Sequence, residues 1–106
     1  MNDLNERAAL AMGWRKDVYK DNEIYVKYVR YFDGDIVMFD EFTWMPTHKI
    51  EHAMMLVEEL KVTHIDITFD GEVSVEIDGY LYGQGITLAE AITAACTPAL
   101  EAKNEV

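Results

Sequence analysis

Few folds accommodate the stretch from Ile65 to Ile77. Apolar residues alternate with polar ones on both sides of Asp70-Gly71: Ile65, Ile67 and Phe69 before it, Val73, Val75 and Ile77 after it. A period of two sends successive side chains to opposite faces of a strand. Asp-Gly between two such runs is a hairpin signal. The register follows from the same residues. A two-residue loop would set Ile67 against Ser74 and mix the faces. A three-residue loop over 70–72 pairs Phe69 with Val73, Ile67 with Val75 and Ile65 with Ile77, and a slip of one residue would put that apolar set in water. The longer loop is therefore expected, between strands over 62–69 and 72–78.

The polar side of this hairpin is acidic. Asp66, Glu72, Glu76 and Asp78 are expected to stand out together on the wet face, with Asp70 at the turn. From Val62 to Ala102 the chain carries seven carboxylates (Asp66, Asp70, Glu72, Glu76, Asp78, Glu90, Glu101) and no Lys or Arg. Over the whole chain, 20 Asp and Glu against 9 Lys and Arg give a formal charge of −11. Such a body repels nucleic-acid backbones and anionic membranes and attracts basic protein surfaces. Net charge also serves solubility alone.

The remaining segments read as follows. Asp3 and Glu6 mark a helix start, with Asp3 as N-cap and the helix running to about Met12, ended by Gly13 with Trp14 packing back. Residues 15–22 read as a polar connector. Strands over 23–32 and 35–42 form a first hairpin through Asp33-Gly34, apolar on both faces and so in need of cover on both. A second helix starts near Trp44-Met45-Pro46-Thr47, with Thr47 capping and a stripe of Ile50, Ala53, Met54, Leu56, Val57 and Leu60. Residues 79–86 read as a glycine-rich link. Thr87 and Glu90 form a capping box for a third helix with Leu88, Ala91, Ile92, Ala95, Ala99 and Leu100 inside, kinked or ended by Pro98, and a frayed tail from Lys103.

The expected fold is thus a single α+β domain over residues 1–106: a mostly antiparallel sheet of two hairpins, four strands in all, with helices packed on it in the order α-β-β-α-β-β-α. The repeated order hints at a doubled hairpin–helix unit. A chain of 106 residues, half of them hydrophobic, suffices for one ordered core. No apolar run reaches the ~20 residues of a membrane span. The start MNDLNERAAL lacks a signal peptide's basic and apolar regions. The single cysteine, Cys96, excludes an internal disulfide and fits a reducing cytoplasm.

Leu10-Ala11-Met12-Gly13-Trp14, then Trp44-Met45-Pro46-Thr47, Ala53 and Leu56-Val57-Glu58-Glu59-Leu60, then the Ala-rich final segment (Ala89, Ala91-Ile92, Ala94-Ala95, Ala99-Leu100) form a dispersed pattern that spans nearly the whole chain. In order and spacing it resembles the phage ABA-sandwich domain family. The resemblance implies a bacteriophage or prophage origin and an α/β/α sandwich-like fold with helices on both faces of the sheet. It brings no catalytic residue.

Motifs that could carry chemistry are few. His48-Lys49-Ile50-Glu51-His52 fits H-x-x-E-H, in which two histidines one helical turn apart share a zinc ion and the glutamate acts as base. No third ligand stands at a defined distance, so the pair is a weak metal candidate beside the plainer reading of a polar first turn. Cys96 lies next to an apolar stripe, where free cysteine acts as a small hydrophobe. Gly79, Gly83 and Gly85 precede a helix start but match neither phosphate-binding fingerprint, and turn flexibility is the expected role. Asp33, Asp35, Asp40 and Glu41 lack EF-hand spacing and read as a solvated hairpin end. Tyr25, Tyr28, Tyr31, Tyr80 and Tyr82 suit either strands or a protein-binding patch. No nucleophile, base and orienting group occur together, so no enzyme and no cofactor are expected.

The expected function is that of a small acidic, non-enzymatic phage protein in the host cytoplasm. It would bind a basic host protein through Asp66, Asp70, Glu72, Glu76 and Asp78 and inhibit it, as an anti-phage defence or nucleic-acid-handling target, with no direct contact to nucleic acid or membrane. One alternative is a sponge for a nucleotide signal, using Arg15, Lys16, Lys27 and Arg30 with nearby tyrosines. Another is a structural phage protein that self-assembles as a homo-oligomer through an uncovered sheet.

Overall fold

The computed structural model describes residues 3–20, 24–32, 34–40 and 43–104. They form an α+β fold of three helices and two antiparallel three-stranded sheets. The order is α1 (Asp3–Ala11), β1 (Arg15–Lys20), β2 (Ile24–Phe32), β3 (Asp35–Asp40), α2 (Ile50–Leu60), β4 (Ile65–Asp70), β5 (Glu72–Ile77), β6 (Leu81–Gly85) and α3 (Leu88–Asn104). Each sheet is a meander followed by a helix, so the expected doubled unit gains a third strand in both halves. The strand count and element order therefore differ from the four-stranded expectation.

The two extra strands hide for different reasons. β1 occupies the segment read as a connector. It is charged at four of its six positions, so alternation gives no signal, yet it pairs with β2 from Arg15↔Val29 to Lys20↔Ile24. β6 occupies the segment read as a flexible link, because its inward positions are Gly83 and Gly85. These glycines serve close approach. A Cβ at Gly83 would lie 2.2 Å from the Ala91 carbonyl oxygen and 2.5 Å from the Ala95 nitrogen, and one at Gly85 would lie 2.7 Å from Glu90 Cγ. The backbone of α3 rests on the backbone of β6, and only glycine leaves room for it.

The β4–β5 hairpin has the expected register, with Phe69 opposite Val73, Ile67 opposite Val75 and Ile65 opposite Ile77. Gly71, at φ +75°, reverses the chain between paired Asp70 and Glu72. Val73, Val75 and Ile77 are buried beneath α3. The β2–β3 hairpin forms with Phe32 opposite Asp35, while Asp33 lies outside the described residues.

The helices depart from expectation in detail. α1 ends as read: the Trp14 N–H donates to the Ala9 carbonyl at 3.1 Å and the indole is buried. The Asp3 side chain lies outside the described residues. Pro46-Thr47-His48 forms a turn and α2 starts only at Ile50, so its N-cap position is Lys49 and not Thr47. Instead the Thr47 N–H donates to Asn5 Oδ1 at 3.1 Å, tying the turn to α1. The buried face of α2 is His52, Ala53, Leu56 and Val57, with Ile50 and Met54 exposed. Thr87 caps α3 as expected, its Oγ1 accepting from the Glu90 N–H at 3.2 Å. Pro98 neither ends nor breaks α3, which continues to Asn104. Pro98 is exposed, so the bond it cannot donate falls on the solvent side, while Cys96, Thr97 and Leu100 hold that part of the helix in the core.

α3 is the central element, touching β5, β6, α1 and α2. Ile92 and Leu100 are each fully buried there, and each stabilises the fold by about 1.5–3 kcal/mol. The first sheet joins the core through Tyr28 and Phe39, which share one face with Lys16, itself ion-paired to Glu6 on α1. Its other face leaves Ile36 and Met38 more than half exposed, so the expected cover on both sides is not seen there.

Candidate functional site

The outer face of the second sheet gathers the carboxylates. Alternation places Asp66, Thr68 and Asp70 of β4 beside Glu76, Ser74 and Glu72 of β5, pair by pair. β6 adds Tyr82 beside Glu76 and Gln84 beside Ser74. All of these are exposed except Ser74, which is half-buried and accepts a bond from the Tyr82 hydroxyl at 3.3 Å. Asp66 stands directly opposite Glu76, and Asp70 opposite Glu72. Like charges so placed destabilise a sheet. Of the described residues, only His64 reaches one of these carboxylates, with Nε2 at 3.0 Å from Asp66 Oδ1.

Asp78 does not belong to this face. It lies past the end of β5 at φ +53°, and its Oδ1 accepts bonds from the Thr63 N–H at 3.0 Å, the Thr63 hydroxyl at 2.8 Å and the His64 N–H at 2.9 Å. These bonds, the Thr63 hydroxyl foremost, hold its carboxyl below the usual range. Strand alternation stops where the backbone turns left-handed, so the parity that assigned Asp78 outward no longer applies. Its carboxylate fastens the entry of β4 to the exit of β5.

The sequence reading marks Tyr82 only as one of several candidate tyrosines and Gln84 not at all, and places neither on this face, because their strand reads as a link. The signal was present as Leu81-Tyr82-Gly83-Gln84-Gly85, in which large or polar residues alternate with glycine. An exposed tyrosine among carboxylates adds a π face for a cation.

The other candidates are dispersed. His48 lies before α2, so the one-turn spacing that H-x-x-E-H needs on a helix is not formed. Its Nδ1 is 2.8 Å from Thr47 Oγ1. His52 is buried and stacks on Trp44, with centroids 5.2 Å apart and planes 17° apart, and meets Phe39 edge-on at 4.9 Å. Its Nδ1 accepts the Met45 N–H at 3.1 Å. Burial, then the nearby Lys49 charge, pushes the imidazole pKa below its ordinary value. His52 is thus a neutral core ring that fastens the turn before α2. Cys96 is buried and its thiol is pushed up to about 12, which keeps it protonated and unreactive at neutral pH. Among the described residues, no three His, Cys, Asp or Glu side chains are placed to hold a metal ion.

Arg15 and Lys16 leave β1 on opposite faces, and each ends on a carboxylate: Arg15 on Asp17 through paired 2.9 Å bonds, Lys16 on Glu6. The structure does not bring these two together, and the side chains of Lys27 and Arg30 lie outside the described residues. Tyr28 is in the core, Tyr80 and Tyr82 are exposed, and the side chains of Tyr25 and Tyr31 lie outside the described residues. Asp35 is exposed and Asp40 accepts the Thr43 N–H at 2.8 Å, while Asp33 and Glu41 lie outside the described residues. Among the described residues, no helix is long and apolar enough to cross a membrane.

No protein-family model, curated protein or solved structure matches this chain.

Proposed function

We propose that the chain is a non-enzymatic binding protein whose outer β4–β5–β6 face takes a basic surface of a partner protein. The observation that carries this reading is the pairing of Asp66 with Glu76 and of Asp70 with Glu72 across one exposed face. Asp70, Glu72 and Glu76 have no partner among the described residues. Four carboxylates on a stiff sheet form charge-assisted bonds with Arg and Lys, and Tyr82 supplies an aromatic anchor. Opposite signs steer the encounter and reject anionic partners such as nucleic acid. A protonated Cys96 and a committed His52 support binding over catalysis.

The resemblance to phage ABA-sandwich domains adds the setting. In this reading the chain is a sandwich-like phage protein acting in the host cytoplasm, and its partner is a host protein inhibited by being bound. The test is capture from bacterial lysate at low ionic strength. The parent is expected to hold a basic protein that elutes with salt, and the variant carrying Asp70→Lys and Glu72→Lys is expected to lose it. Equal capture by the variant removes the acidic face from the account.

A further inference from the structure

β4 is the edge of its sheet, and among the described residues no strand lies beyond it. Two bonds fix which of its backbone groups face outward. The Asp78 N–H donates to the His64 carbonyl at 2.9 Å, marking 64/78 as a hydrogen-bonded pair of the β4–β5 ladder. The Tyr80 N–H donates to the Ile77 carbonyl at 3.2 Å, turning Ile77 toward β6. Bonded pairs recur at every second residue. Asp66, Thr68 and Asp70 therefore bond to β5, and Ile65, Ile67 and Phe69 point their N–H and C=O groups into the open edge.

The side chains of those same three residues lie on the apolar face; Ile65 packs against the core, while Ile67 and Phe69 outrun the helix layer. Val73, Val75 and Ile77 beside them are buried, whereas Ile67 is 43% and Phe69 73% exposed. Natural edges are commonly blunted by Lys, Pro or a bulge, and β4, Ile-Asp-Ile-Thr-Phe-Asp, has no Lys or Pro and pairs residue for residue with β5. The charge pattern selects the occupant. A second copy would set another acidic face beside this one on a continuous sheet, with −11 on each chain.

We infer that the open edge of β4 accepts an extended segment of a partner chain in which basic and apolar residues alternate. Its basic side chains lie on the outer face against Asp66 and Asp70. Its apolar side chains cover Ile67 and Phe69, and its backbone completes the bonds of Ile65, Ile67 and Phe69. This deepens the acidic-face reading and rests on it.

The probe is the blocked peptide Lys-Val-Lys-Val-Arg-Val-Lys, with a control of the same composition whose basic residues are contiguous. Affinity is measured by fluorescence anisotropy and protection by amide hydrogen exchange. The parent is expected to bind the alternating peptide about tenfold or more tightly than the control, with new protection at Ile65, Ile67 and Phe69. Ile67→Pro removes an outward donor and no bond to β5, and Phe69→Lys alters a mostly exposed side chain. Each is expected to weaken binding about tenfold or more with an unchanged circular dichroism spectrum. If both bind as the parent does, or if the control binds equally well, strand addition is overturned. The acidic-face reading then stands if Asp70→Lys with Glu72→Lys still abolishes binding, and falls with it if that variant binds unchanged. Concentration-dependent light scattering abolished by Ile67→Pro assigns the edge to a second copy and overturns the inference.

Discussion

A single methyl group at position 83 would collide with the backbone of α3, which makes Gly83 the most exacting residue of the second sheet. Gly83→Ala is expected to lower stability by about 1–3 kcal/mol through overpacking, read as a lower urea midpoint at constant slope. Gln84→Ala on the exposed face is expected to change it by no more than about 0.5 kcal/mol. His52 sets a pH dependence. Its folded pKa lies below the ordinary 6.5, so the unfolded chain takes up a proton first as pH falls. Stability is full above about pH 6.5 and declines as pH falls toward the folded value. His52→Phe is expected to flatten that decline in thermal melts between about pH 7 and pH 5, and to cost about 1 kcal/mol at neutral pH because the Met45 N–H loses its acceptor. The sequence could mark His48 and His52 as a pair but not where the helix begins, and that one boundary decides whether they share a face.

At the scale of elements, legibility followed the period of the side chains. The β4–β5 register could be read because its apolar positions alternate and its turn needs a positive φ at Gly71. β1 and β6 escaped because neither has an apolar inward row: one is charged almost throughout, the other uses glycine to admit a helix. The stripe of α2 was read off by part of a turn, because His52 is polar in composition but aromatic in packing. The same hairpin offers a test that separates binding from stability. Asp66→Lys turns a like-charged cross-strand pair with Glu76 into an opposite-charged one. It is expected to raise stability by about 0.2–1 kcal/mol in urea titration while weakening capture of a basic partner. A residue retained for folding alone would lose stability on substitution and leave capture unchanged.

Across the whole molecule the charge is divided. Three of the basic residues described near the N-terminus end on carboxylates of the same chain, Arg7 on Glu101, Lys16 on Glu6 and Arg15 on Asp17. The stretch from Val62 to Ala102 has no Lys or Arg to do the same. Ion pairs thus form around α1 and β1, whereas the open face of β4–β5–β6 has no Lys or Arg beside its carboxylates. The lack of cations over 62–102 was legible from the charges alone, but the ion pairs near the N-terminus were not. The loss of Asp78 from the face and the gain of Tyr82 were not, because both depend on where β5 turns into β6. The most direct measurement is amide chemical-shift mapping with a lysine-rich peptide at low ionic strength. Shifts are expected to concentrate on Asp66, Thr68, Asp70, Glu72, Ser74, Glu76, Tyr82 and Gln84 and to vanish in high salt. Shifts spread evenly over all acidic side chains, or centred on α1 and the first sheet, would contradict the acidic-face reading.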